Sequence, residues 1–220
     1  MAITINGSGT VTGISVGGLP DGIVDNDTLA NTTITDAKIA NTTITDAKIA
    51  NTTISEGKLA ANVNTIQGAD EWRLTSNVAG AGSAADISAN LERNDTAGFE
   101  KIGDGMSESS GVFTFPLTGK WLILAKCTTY NERNGYNYYQ RLDIFTTHND
   151  SSWTVQSTGY DSHAVQYTRG GMDCSFIFDV TNTSTHKAKF QQYTYHGTDF
   201  ILGNTDRNFT TFTFIRLGDT

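Results

Sequence analysis

The feature that most restricts what this chain can fold into is a decapeptide. Asn31-Thr-Thr-Ile-Thr-Asp-Ala-Lys-Ile-Ala40 recurs unchanged as 41–50 and, with four substitutions, as Asn51-Thr-Thr-Ile-Ser-Glu-Gly-Lys-Leu-Ala60. Its large aliphatics fall at Ile34, Ile39, Ile44, Ile49, Ile54 and Leu59, five residues apart. A continuous α-helix would rotate each by roughly 140° from the last, and a continuous strand would alternate them between faces. Neither element lines one side with them, so each ten must change direction within itself. Thr35 and Thr45 suit helix N-caps, Asp36 and Asp46 suit the positive end of a helix, and Asn41 and Asn51 tolerate the left-handed conformation that stops one. The expected unit is an extended NTTI followed by one helical turn, TDAKIA.

One turn is far below the ~12–15 residues at which an isolated helix becomes marginal in water. Cover for the isoleucines must come from elsewhere, and the simplest cover is further copies of the chain in parallel register, with each isoleucine meeting its equivalents at a shared axis. Two other readings stay open. A pentapeptide-type β-helix also spaces apolars by five, but this segment would give only about two turns, short of the three or so repeats a stacked array needs. A polar linker fits the composition and leaves the regular isoleucines unexplained. Val24 and Leu29 extend the register back to residue 21, and 61–70 is a transition. The expected layout is therefore an arm at 1–20, a shaft at 21–68 and a head at 69–220. The glycine-rich arm is read as a segment that orders on a partner, or as a frayed terminus; Val11, Ile14 and Val16 favour the partner.

Composition narrows the function. The net charge is −8 with no Lys/Arg cluster, which argues against nucleic acid as a partner. No stretch approaches the ~20 apolar residues of a membrane span. The start Met1-Ala-Ile-Thr-Ile lacks a basic region and an apolar run, so no secretory signal is expected and synthesis in a cytosol is. Cys127 and Cys174 sit on the apolar parity of their strands and read as two small buried hydrophobes, a disulfide between them being the alternative.

From Trp72 onward the texture becomes alternating strands separated by turns. Strands are expected near 71–76, 86–92, 97–103, 110–116, 119–130, 136–147, 152–158, 163–168, 171–181, 187–196 and 208–217. Turns are expected at Asn94-Asp-Thr, Asn131 to Gly135, Asn149-Asp-Ser and Gly203-Asn204. With no helical stretch, the head is a β-sandwich or jelly roll.

Within it, Gly111-Val-Phe113-Thr-Phe115-Pro116-Leu-Thr-Gly119-Lys-Trp121-Leu-Ile123 resembles the strand-turn-strand signature of complement-type heads in the tumour necrosis factor-like jelly-roll superfamily. The residues explain themselves: Phe113 and Phe115 share a face, Pro116 and Gly119 make the turn, and Trp121, Ile123, Ala125 and Cys127 return on one face. The closing strand Phe209 to Leu217 is similar to that family's aromatic last strand, although Thr211 stands where glycine is usual and Pro116 is displaced from its usual place before Gly119. The whole arrangement resembles a bacteriophage tail fibre: an M-x-I-T-I-N-G-S-G-T start, a shaft of T-T-I-T-D-A-K-I-A tens and a jelly-roll tip. That resemblance implies a mainly β fold with a tumour necrosis factor-like head on an elongated trimeric shaft. It further implies a parallel homotrimer in the virion, attached to tail or baseplate proteins through the arm and to a host surface glycan or protein through the head. The alternatives are a purely structural fibre or collar and a cellular complement-like adhesin.

No catalytic pattern emerges. His148, His163, His186 and His196 are scattered without His-x-x-x-His or Cys-x-x-Cys spacing, and no Gly-x-Ser-x-Gly elbow occurs. No enzyme activity, metal or cofactor is expected. Asp104, Asn149 and Asp150 read as turn formers before they read as calcium ligands. The suggestive surface is Tyr130-Asn-Glu-Arg-Asn-Gly-Tyr136-Asn-Tyr-Tyr139-Gln-Arg141, because tyrosine offers an apolar face with a polar tip and Asn and Arg supply hydrogen bonds, as sugar recognition needs. Candidate ligand contacts are Tyr130, Asn134, Tyr136, Tyr139, Arg141, Trp153, Tyr160 and His163. Tyr193, Tyr195 and His196 carry the same double reading of ligand contact or packing, and Tyr138 is assigned to the core by its parity with Leu142 and Ile144.

Overall fold

The chain divides after Ala60, and the computed structural model describes residues 66–220. The arm, the repeats and their aliphatics Ile34 to Leu59 lie outside the described residues. The described residues form thirteen strands: β1 (Ala69–Leu74), β2 (Val78–Ala79), β3 (Ala84–Asp86), β4 (Leu91–Arg93), β5 (Ser107–Ser109), β6 (Val112–Thr114), β7 (Gly119–Asn131), β8 (Asn137–Thr147), β9 (Thr154–His163), β10 (Thr168–Val180), β11 (Lys187–Thr194), β12 (Phe200–Ile201) and β13 (Thr211–Gly218).

The first sheet runs β4-β1-β13-β7-β10, with β12 beside β7 and β2 beyond it. The second runs β5-β6-β11-β8-β9, with β3 on β11. Every pairing is antiparallel. Numbering the main strands β1, β6, β7, β8, β9, β10, β11 and β13 from first to eighth, the sheets read 1-8-3-6 and 2-7-4-5, the strand order of a jelly roll.

Alternation builds the core. Trp121, Ile123, Ala125 and Cys127 of β7 point inward, as do Phe212 and Phe214 of β13 and Ala188 and Phe190 of β11. Phe113 is the hub, with ring centroids 5.6 Å from Trp72, 5.6 Å from Phe190 and 5.1 Å from Phe214. The glycines of the 111–123 motif have a steric reason. Gly111 has φ 83° and a Cβ there would lie 2.4 Å from Ile87 O; Gly119 has φ 138° and a Cβ would lie 2.4 Å from Gly218 O.

Several expected strands are corrected. Residues 97–103 form only an isolated bridge, Ala69 to Ile102. The 86–92 strand breaks into β3 and β4 around Asn90, whose φ is 59°. Residues 164–167 turn between β9 and β10, with Tyr167 at φ 61°. Tyr138 is 68% exposed and is not core. A register shift between Asn137 and Gln140 inserts an extra residue, so Tyr138 and Tyr139 both face solvent between two inward neighbours. Cys127 and Cys174 are free and buried, on the hydrophobe side of the two readings.

Candidate functional site

The aromatic candidates gather on the outer face of the second sheet. Arg141 of β8 pairs in register with Tyr193 of β11 on one side and Tyr160 of β9 on the other, making one row across three strands. Tyr139 stacks on Tyr193 with centroids 5.1 Å apart and an interplanar angle of 8°, and meets Tyr160 edge-on at 6.3 Å. Tyr195 joins through Tyr138 at 5.3 Å and Tyr139 at 6.2 Å. The Arg141 guanidinium carbon lies 5.6 Å from the centre of the Tyr193 ring, a cation–π contact.

Arg141 is held from below. Its Nε is 2.7 Å from Asp143 Oδ2, at an angle that makes the contact ionic rather than a hydrogen bond. Asp143 is buried and accepts a 2.7 Å bond from Thr158 Oγ1. This leaves the Nη groups of Arg141 without a hydrogen-bond partner among the described residues. The hydrogen bond between Tyr139 and Tyr193, with burial second, raises the Tyr193 phenol above its ordinary pKa.

At the end of this face a depression of about 350 Å³ is lined by Arg133, Gly135, Tyr136, Tyr138, Tyr195 and His196. Arg133 Nη1 contacts His196 Nε2 there. At the opposite end Lys189 Nζ sits 5.0 Å from the Trp153 ring centre and 5.7 Å from that of Phe145, and pairs with Asp86 Oδ2 at 2.8 Å.

The structure thus brings Tyr139, Arg141 and Tyr160 into contact, puts Tyr136 beside them at the depression and exposes Asn134 in the same β7–β8 connection. Trp153 shares the face and stands apart from the tyrosines. Tyr130 belongs to the other sheet, where Arg169 lies 5.8 Å from its ring centre. His163 is a correction: it is 4% exposed and packed between Thr129 Oγ1 and Thr168 Oγ1, 2.9 Å from each, so it offers no surface. Arg133 and Tyr138 are the contacts that the sequence reading left out of the ligand set. The alternation Tyr193-Thr-Tyr195 was a visible signal, but only the β8–β11 register puts those rings beside Arg141.

The first sheet presents a different outer face. Ile215, Leu122 and Ile177 form one row across β13, β7 and β10, and Thr213, Leu124 and Ser175 form the next. Leu124 is 38% exposed and Ile177 55%. Lys120 and Asp179 border the rows, 3.9 Å apart.

Asn149 and Asp150 behave as turn residues. Asn149 Oδ1 accepts from the backbone N–H groups of Ser151 and Ser152 at 3.1 and 2.8 Å, and Asp150 pairs with Lys187 at 2.7 Å. Among the described residues no group of three or more His, Cys, Asp or Glu is placed to hold a metal ion.

No protein-family model matches the sequence, and no curated protein matches it. Solved structures similar to the chain include murine APRIL at pH 8.5, with 7% identity over 68% of this chain and 98% of that one at a TM-score of 0.49. Eiger TNF from S. frugiperda has 8% identity over 71% of this chain and 96% of that one, also at 0.49. The jelly-roll assignment rests on the strand order above.

Proposed function

We propose that this chain is the homotrimeric tail fibre of a bacteriophage, with an arm that joins tail or baseplate proteins, a repeat shaft, and a jelly-roll head that adheres to glycans of the host cell surface. The observation that carries the reading is the division of labour between the two outer faces of the head. Leu122, Leu124, Ile177 and Ile215 make an aliphatic patch suited to contact with further copies, while Tyr139, Tyr160, Tyr193 and Arg141 make an aromatic and hydrogen-bonding surface suited to sugars. The five-residue aliphatic spacing of the shaft asks for the same self-association.

Adhesion of this kind works by avidity. Three identical weak sites on one tip raise the effective local concentration, so modest affinity per site suffices for stable attachment.

Light scattering on the full-length protein tests the assembly, with a mass of three chains expected. Surface plasmon resonance on host-envelope glycans tests the adhesion, with binding expected for the trimer. Silence across a broad glycan panel would leave the head as a trimerisation device on a structural fibre. Mass spectrometry of purified virions tests the location.

A further inference from the structure

The interior of the sandwich is apolar at one end and polar at the other. Among the described residues, seven buried side-chain polar atoms lack a hydrogen bond, and six of them belong to Asn137, Gln140, Gln192, Thr194 and Asp199. All five residues are at most 1% exposed. A native interior seldom leaves such atoms unpaired, so a cluster of them calls for an occupant.

These side chains converge on the backbone at Ala79–Gly80. Gln192 Nε2 donates to Ala79 O at 3.3 Å, and Gly80 N donates to Asp199 O at 2.6 Å. A Cβ on Gly80 would stand 2.0 Å from Thr194 Oγ1. Thr194 faces Gln140 across the β11–β8 ladder, and Asn137 Nδ2 donates to Asp199 Oδ2 at 2.6 Å. Those bonds fix the amide orientations of Asn137 and Gln192 and leave both amide oxygens unpaired. The unpaired set is Asn137 Oδ1, Gln192 Oε1, Asp199 Oδ1, Thr194 Oγ1 and both ends of the Gln140 amide. Acceptors outnumber donors.

One of those acceptors belongs to a carboxylate. Asp199 is fully buried and has no ion pair among the described residues. The cluster adjoins the surface depression: Tyr136 and His196 line that depression, Asn137 follows Tyr136 in sequence and Asp199 N bonds His196 O at 3.3 Å.

We propose that this polar end of the sandwich binds a hard cation through an all-oxygen cradle of Asp199, Asn137, Gln140, Gln192 and Thr194. The donor set contains no sulfur and needs no imidazole, which selects alkali or alkaline-earth ions over transition metals. A single carboxylate balances one positive charge, as sodium carries. Calcium in a site with so few charged ligands binds with a Kd of about 10⁻⁴–10⁻³ M. The cation would tie β8 and β11 to the β2 and β12 ends, joining the second sheet to the first beneath the tyrosine surface.

The test uses the full-length protein, stripped with chelator and melted at constant ionic strength in sodium chloride, in calcium chloride and in tetramethylammonium chloride. A rise of about 3 °C or more in sodium or calcium relative to tetramethylammonium is expected, and the two arms identify the ion. Thr194→Val and Asp199→Asn abolish the response, and Asp199→Asn melts higher than the wild type in tetramethylammonium because its uncompensated charge is gone. Equilibrium dialysis of the wild type is expected to find one cation per chain and needs no variant to fold. Equal melting in all three salts, or no bound ion with water alone at the site, overturns the proposal.

Discussion

The two outer faces of the head are built on the same jelly roll and differ in what they put into solvent. On the first sheet, β7, β10 and β13 set Leu122, Leu124, Ile177 and Ile215 side by side, aliphatic groups that form no directional bonds. On the second, β8, β9 and β11 set Tyr139, Tyr160, Tyr193 and Arg141 in a ladder whose rings stack and whose cation is steadied by Asp143. Aliphatic surface is stabilised by any complementary dry surface, so it suits contact with another copy. A ring-and-guanidinium surface discriminates by orientation and hydrogen bonding, so it suits a ligand. Strand alternation keeps both faces independent of the shared core, so the two sheets carry different surface chemistry on one interior.

The strongest way to break this comparison is to charge the aliphatic face. Burial of one such side chain contributes about 1.5–3 kcal/mol, and each substitution is repeated in every subunit. Leu122→Asp with Ile177→Asp is therefore expected to weaken association by a hundredfold or more, read as a fall in mass by sedimentation or light scattering. If these variants keep the wild-type mass at micromolar concentration, the face is not an assembly surface, or the shaft alone holds the trimer; a chain truncated to 61–220 carrying the same pair separates those outcomes. Next in size, Tyr139→Ala or Arg141→Ala is expected to lower affinity for immobilised glycan about tenfold per site, with the mass unchanged. Equal loss from Tyr130→Ala, on the other sheet, would erase the distinction between the faces.

How far each face was legible in the sequence follows from what sets it. The inward run Trp121, Ile123, Ala125 and Cys127 is a local alternation, and it reads directly. The rows Ile215–Leu122–Ile177 and Tyr193–Arg141–Tyr160 are not local. They depend on which strands become neighbours and in what register, which no stretch of β7 or β8 encodes by itself. Tyr138 was misplaced because one extra residue before Gln140 reverses the parity of everything upstream of it. His163 departs in the opposite way: its polarity suggests an outward position, and this interior is polar at one end, with His163 bonded to two threonines there. The 97–103 segment had strand-like composition and found no partner beyond one bridge at Ile102.

A smaller effect sharpens the comparison between the sandwich interior and its faces. His148 Nδ1 and His186 Nε2 are 3.0 Å apart, and Phe178 of the first sheet packs on both rings. Burial, and secondarily His148, lowers the His186 pKa below its ordinary 6.5. A lowered imidazole pKa means the unfolded chain binds the extra proton more readily. The stability it contributes is therefore complete above about pH 6.5 and is lost as pH falls through the folded value. Thermal melts from pH 7.5 to 5 should show an acid limb that His186→Gln flattens by about 1–3 °C, leaving the melt at pH 7.5 little changed. An unaltered limb would place the acid sensitivity elsewhere.

The smallest expected effect is none at all, and it guards the largest. Cys127 and Cys174 lie on β7 and β10, the strands that carry Leu122 and Ile177, but point inward; burial pushes both thiols up to about 12. Native thiols are therefore expected to react with an aromatic disulfide reagent on the order of a thousandfold more slowly than in denaturant, where two per chain should titrate. The charged-face variant separates copies without opening the sandwich, so its thiols should stay as slow as those of the wild type. Rapid labelling of Leu122→Asp with Ile177→Asp would mean that the substitutions had unfolded the first sheet, and the loss of mass would then say nothing about an interface.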